Sequence, residues 1–305
     1  MHEINEILKK YNIHPKKYKK SKKIIYIETN NEKYIIKQKT KDNKYIYEYL
    51  KSRNFDYIPK ILNENDDYEI TKYIEEYNVP KEQKIIDLIH LVSLLHNKTT
   101  HFKEITEDNY KEIYEDLNNN IEHLQSYYED LITIIETKVY MSPCEYLIAR
   151  NISKIFETLY FSKKELDNWY ELIKEKRKQR LVVLHNNLEL DHFLSNEKKY
   201  LISWDKSKIG IPIFDIYKLY KNHALEFDFS ELLKIYEKNY PLLEEEKKLL
   251  FILISIPQKL NLDKSEYENT KEAGKMIDYI YKTEMLISPY YSNERPEDKS
   301  HKQKY

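Results

Sequence analysis

Between residues 181 and 220 lie His185, Asn186, Asn187, His192 and Asp205, side chains that together could manage a hydroxyl group and a charged ligand. The apolar residues 181–184 lead into the first three, and a second run, residues 200–204, leads into Asp205. Short apolar runs of this length read as buried strands, so two strands would present polar groups at their ends. The carboxylate of Asp205 can hold a divalent cation. An asparagine amide can orient a hydroxyl but cannot take its proton at ordinary pH. Imidazole suits zinc, copper or iron better than magnesium, which prefers oxygen ligands, and it can equally brace a loop through backbone carbonyls.

This constellation resembles the catalytic segment of the aminoglycoside and choline phosphotransferases, a family with the protein-kinase-like fold. In that family the segment reads H-G-D-x-x-x-x-N, followed by a strand that ends in aspartate. His185 matches the family's histidine, and Asp205 matches its magnesium-holding aspartate. Asn187 stands where the family has its catalytic aspartate, and His192 where it has a metal-binding asparagine. Pro212 and Asp215 resemble the structural Pro-x-x-Asp, with Asp215 opening the next helix. The resemblance implies an α+β, two-lobed fold. Residues 1–75 would form a small β-rich lobe, and residues 76–288 a helical lobe carrying the altered segment.

The elements that must position these groups follow from local pattern. Residues 3–11 predict a short amphipathic helix with Ile4, Ile7 and Leu8 on one face. Residues 24–29 and 34–37 are rich in β-branched and aromatic side chains about the polar turn Asn30-Asn31-Glu32-Lys33, which predicts a hairpin. A helix is expected over residues 40–53, with Tyr45, Tyr49 and Leu50 inward, then strands over residues 55–62 and 68–74. By order and spacing, Lys37 and Glu48 match the family's ATP-anchoring lysine and the helix glutamate that pairs with it, and Tyr73 and Ile74 its hinge. No glycine precedes Gly210, so the lysine-rich residues 16–23 do not make a phosphate-cradling loop and read as a solvated face. Pro80 should open a helix with Ile85, Ile86, Leu88, Ile89, Val92 and Leu95 on its apolar side, ending at a buried, satisfied His96. Helical periodicity continues over residues 103–138, 144–176, 230–240, 242–256 and 265–287. Residues 289–305 lack apolar content and predict a disordered tail.

Composition narrows the function classes. With 51 Lys and Arg against 52 Asp and Glu, no basic face is implied, which disfavours nucleic acid as the main partner. The single cysteine, Cys144, excludes an intramolecular disulfide and a cysteine-based metal cluster and fits a reducing, cytoplasmic setting. No apolar stretch is long enough to span a bilayer.

Two functions remain open. In the first, the chain is a catalytically impaired or inactive pseudokinase that binds nucleotide or a protein partner, with a structural role like that of the spore-coat branch of the family. Losing general-base assistance costs about 10² to 10⁴ in rate, so Asn187 impairs transfer without forbidding it. In the second, an active kinase uses ATP and magnesium to phosphorylate a small-molecule hydroxyl, with Glu189 or Asp191 supplying the missing carboxylate. Cofactors are ATP and Mg²⁺ in the active case, and none is required of a scaffold.

Overall fold

The β-branched and aromatic residues between positions 24 and 38 suit a pleated, half-buried surface. In the computed structural model, which describes Leu8 and residues 13–21, 24–39, 43–64 and 68–291, they form two strands of a five-stranded sheet. Strands β1 (Lys17–Ser21), β2 (Ile24–Glu28), β3 (Lys33–Gln38), β4 (Ile61–Glu64) and β5 (Tyr68–Lys72) lie in the order β1-β2-β3-β5-β4, with every neighbouring pair antiparallel. Paired residues share a face, and successive residues alternate. Ile25 opposite Ile36, and Ile36 opposite Ile70, therefore build one apolar face with Ile27, and all four are buried. The other face carries Ile24 opposite Lys37, and Lys37 opposite Glu69.

The lysine-rich segment is a strand that its charge had hidden. All five residues of β1 are exposed on the edge of the sheet, where lysines discourage pairing with another chain. The helix expected near residues 40–53 is α1 (Lys44–Ser52), but its buried pair is Ile46 and Leu50, while Tyr45 is exposed. It stops where Asn54 turns left-handed, φ 53°, and the Phe55 amide reaches back to the Leu50 carbonyl at 3.0 Å. The strand expected over residues 55–62 starts only at Ile61; Pro59 has no N–H to give to a ladder. The helix expected over residues 3–11, apart from Leu8, lies outside the described residues.

Beyond the sheet the chain continues as α2 (Lys81–Thr99), β6 (His101–Glu104), α3 (Glu107–Glu136), α4 (Pro143–Ile173), β7 (Lys178–Leu184), β8 (Phe193–Ser195), β9 (Lys199–Leu201), β10 (Lys208–Gly210), α5 (Ile213–His223), α6 (Phe229–Asn239), α7 (Glu244–Ser255) and α8 (Glu266–Tyr291). By compactness it divides into two units. The first comprises Met1–His101, Leu181–Asp215 and Lys238–Tyr240, and the second comprises Phe102–Arg180, Ile216–Glu237 and Pro241–Tyr305.

In the first unit, α2 buries Ile85, Leu88, Ile89, Val92 and Leu95, as its periodicity predicts, and leaves Ile86 half-buried. The Leu184 end of β7 pairs antiparallel with β10, and β8 pairs with β9 as a short hairpin. The second unit is helical. Its α4 starts at a capping box, Ser142 with Glu145 and Pro143 in the first turn, and packs against α3, α7 and α8. Buried tyrosines there place their hydroxyls on carbonyls, Tyr128 on Gln258 at 2.5 Å, so their polar ends are satisfied. Helix α8 runs through Pro289 to Tyr291, so residues 289–291 are helical where disorder was expected; residues 292–305 lie outside the described residues. No helix among the described residues is long and apolar enough to cross a membrane.

The sheet register makes a direct prediction about neighbours on β2. Ile25→Ala should cost about 2 to 5 kcal/mol in chemical denaturation, because it empties a packed site. Ile24→Ala, at a residue that is 41% exposed, should cost less than about 1 kcal/mol. The reverse order of losses would contradict the register.

Candidate active site

Strand β7 delivers its polar cluster by burying what precedes it: Val182, Val183 and Leu184 are fully enclosed. His185 follows, also enclosed, with Nε2 2.8 Å from the Ile202 carbonyl. A carbonyl only accepts, so Nε2 carries the proton; Nδ1, buried, has no hydrogen-bond partner. Burial pushes the imidazole pKa down to about 4 against the opposing pull of Asp215. The ring stands edge-on to buried Trp204, with centroids 4.7 Å apart. Asn186 has φ 59°, the left-handed region that glycine enters freely and asparagine tolerates, which explains a residue able to replace the glycine of H-G-D.

Three consecutive side chains fasten this loop to the one that carries Asp205. Besides the His185 bond to Ile202, the Asn186 amide donates to the Lys206 carbonyl at 2.8 Å, and the Asn187 amide donates to the Ser203 carbonyl at 3.3 Å. His192 closes its own loop: Nδ1 donates to the Asn187 carbonyl at 2.7 Å. Asp215, in the first turn of α5 and fully buried, accepts from the backbone amides of His185 at 2.8 Å and Asn186 at 2.6 Å, and lies 3.2 Å from His96 Nε2. His96 is thus the buried, hydrogen-bonded histidine that its place on α2 predicts.

Asp205 is not at a strand end. Strand β9 stops at Leu201, and Asp205 sits in a single 3₁₀ turn, Trp204–Lys206. Ser203, at φ 66°, makes the bend, and the buried Trp204 anchors it through its indole N–H on the Leu201 carbonyl at 2.8 Å. Asn43, just before α1, donates to the Trp204 carbonyl at 2.8 Å.

Asp205 Oδ2 lies 2.5 Å from Lys37 Nζ, so two residues separated by most of the chain meet in an ion pair. The other carboxylate beside Lys37 is Glu69 on β5, with Oε1 at 3.9 Å. Glu48, expected there, is instead exposed on α1 and forms no ion pair with Lys37. Glu69 was invisible to sequence spacing, since only the register places it opposite Lys37. Both line a cavity of about 260 Å³ whose walls include Ile24, Ile35, Leu194 and Trp204, with Tyr73 and Ile74, the expected hinge, on its edge.

Apolar walls with Lys37 and Lys72, beside Glu69 and Glu76, suit a flat base attached to phosphate, so the residues present fit a nucleotide. They fit magnesium poorly. His192 offers imidazole nitrogen where oxygen is preferred, and the Asp205 carboxylate is engaged by Lys37. Asp191 is exposed on the turn Leu190–His192.

A β-rich segment carrying Lys37 followed by a helical region with a His-x-Asn loop and an aspartate turn defines a two-lobed protein-kinase-like fold. More narrowly, it is the fold of the aminoglycoside phosphotransferases. An aminoglycoside phosphotransferase from Alicyclobacillus acidocaldarius superposes with a TM-score of 0.63 at 9% identity, over 93% of this chain and 92% of that one. The AMP-bound complex of spectinomycin phosphotransferase APH(9)-Ia gives 0.53 at 13% identity, over 96% and 94%. The same enzyme with ADP and spectinomycin gives 0.51 at 13%, over 93% and 98%. By sequence alone, no family model and no curated protein matches the chain.

The buried imidazole sets a pH dependence. His185 is held neutral well below its ordinary value of 6.5, so between pH 6.5 and about 4 the unfolded chain binds a proton that the folded chain refuses. Stability therefore falls as pH drops through that window, by on the order of 3 kcal/mol from this residue. Wild type should lose that much more than His185→Gln between pH 7 and 4 in denaturant titrations; parallel losses would contradict the assignment.

Proposed function

We propose that this chain is a pseudokinase of the aminoglycoside phosphotransferase type: it binds a nucleotide in the Lys37 cavity, transfers its phosphoryl group poorly or not at all, and acts through a protein partner. The observation that carries this reading is the state of Asn187. A residue in the position of the general base must accept a proton from the acceptor hydroxyl; an amide has no basicity for that, and here its N–H is donated to the Ser203 carbonyl. Lys37 and Asp205 keep the ammonium and carboxylate that a kinase site needs, paired with each other. The mismatch between His192 and magnesium supports the same reading. Nucleotide binding is supported by the shape and lining of the cavity and by the AMP and ADP held by the spectinomycin enzyme of the same fold.

Thermal unfolding with ATP or ADP, with and without magnesium, tests the binding claim. Nucleotide at 100 times its dissociation constant should add about 2.7 kcal/mol. The shift should survive chelation of magnesium and vanish in Lys37→Ala. Absence of any shift in wild type would overturn nucleotide binding. For the second claim, wild-type turnover on amino-alcohol and aminoglycoside acceptors should be absent, and Asn187→Asp should create or raise it. Wild-type turnover abolished by Lys37→Ala or Asp205→Ala would make the chain an active small-molecule kinase.

A further inference from the structure

The sheet register puts Glu69 directly across from Lys37 on the neighbouring antiparallel strand. Their side chains lie on the face that lines the cavity, Nζ to Oε1 at 3.9 Å, and are only 17% and 15% exposed. Opposed residues on antiparallel strands stay within reach whatever the neighbouring helices do, because ladder hydrogen bonds fix the strand spacing. Asp205, by contrast, reaches Lys37 from a one-turn segment outside the sheet. The ammonium thus has one partner fixed by the sheet and one supplied by a loop.

We propose that Glu69 is the positioning residue for Lys37, in place of a helix glutamate. It holds the ammonium over the cavity while the Asp205 contact is exchanged for phosphate oxygens when a nucleotide enters. An amine with two carboxylate neighbours can give up one and stay oriented by the other. Because the holding partner belongs to the sheet, displacement of α1 leaves Lys37 aimed, so the site lacks the switch that a helix-borne partner would give it. The role assigned to Glu69 rests on the nucleotide reading of the cavity, whereas its pairing with Lys37 does not.

Two measurements separate these parts. In a double-mutant cycle on thermal unfolding without ligand, the Tm losses of Lys37→Met and Glu69→Gln should be non-additive, whereas those of Lys37→Met and Glu48→Gln should add. Additive losses for Glu69 overturn the pairing. In calorimetric titrations, Glu69→Gln should weaken ADP by about fivefold or more and leave adenosine within about twofold, because only the phosphates meet Lys37. Equal weakening of both ligands, or of neither, overturns the positioning role. If wild type binds neither ligand, the nucleotide reading fails and the positioning role with it, while the cycle still decides the pairing.

Discussion

One buried carboxylate holds the candidate site together. Asp215, fully buried, accepts two successive backbone amides, that of buried His185 and that of half-buried Asn186, and meets the buried His96 ring. A buried N–H without a partner costs about 1 to 3 kcal/mol, so the enclosed His185 amide alone makes this arrangement expensive to lose. The left-handed bend at Asn186 depends on it, since a strained backbone persists only where its surroundings fix it. From that bend the Asn186 and Asn187 amides reach the loop that carries Asp205, and Asp205 reaches Lys37.

This order of dependence separates scaffold from chemistry. His185, Asn186, Asp215 and His96 serve the backbone, and their roles need neither nucleotide nor metal. The resemblance to the phosphotransferase segment would give the chemical positions to Asn187, His192, Lys37 and Asp205. Two of those four have side chains unsuited to proton abstraction or magnesium, and the other two form an ion pair. A brace maintained beneath altered chemistry supports a binding role, because binding needs the cavity shaped while turnover also needs the base.

Much of the scaffold was legible in the sequence for a simple reason. Enclosed runs such as residues 181–184 and the apolar side of α2 advertise themselves through unbroken or periodic apolar character, and Pro212 with Asp215 marks the brace. What could not be read depends on register or on local backbone. Five exposed residues concealed β1, since edge position and charge remove the alternation that betrays a strand. On α1 Leu50 is buried as expected, but Tyr45 was misread as inward in place of Ile46, because tyrosine is apolar in bulk and tolerates water at its hydroxyl, whereas Ile46 does not. Glu48 matched by spacing along the chain, but the carboxylate beside Lys37 comes from across the sheet, a relation that only strand pairing creates.

The most direct test of the account is ³¹P NMR of ATP mixed with a stoichiometric amount of protein, followed for hours with magnesium and an acceptor alcohol present. Binding without transfer predicts that the β- and γ-phosphate resonances shift or broaden, that Lys37→Ala abolishes the effect, and that the γ-phosphate signal keeps its full intensity. Steady loss of the γ-phosphate signal to a new phosphate ester would contradict the account and make the altered loop a working active site.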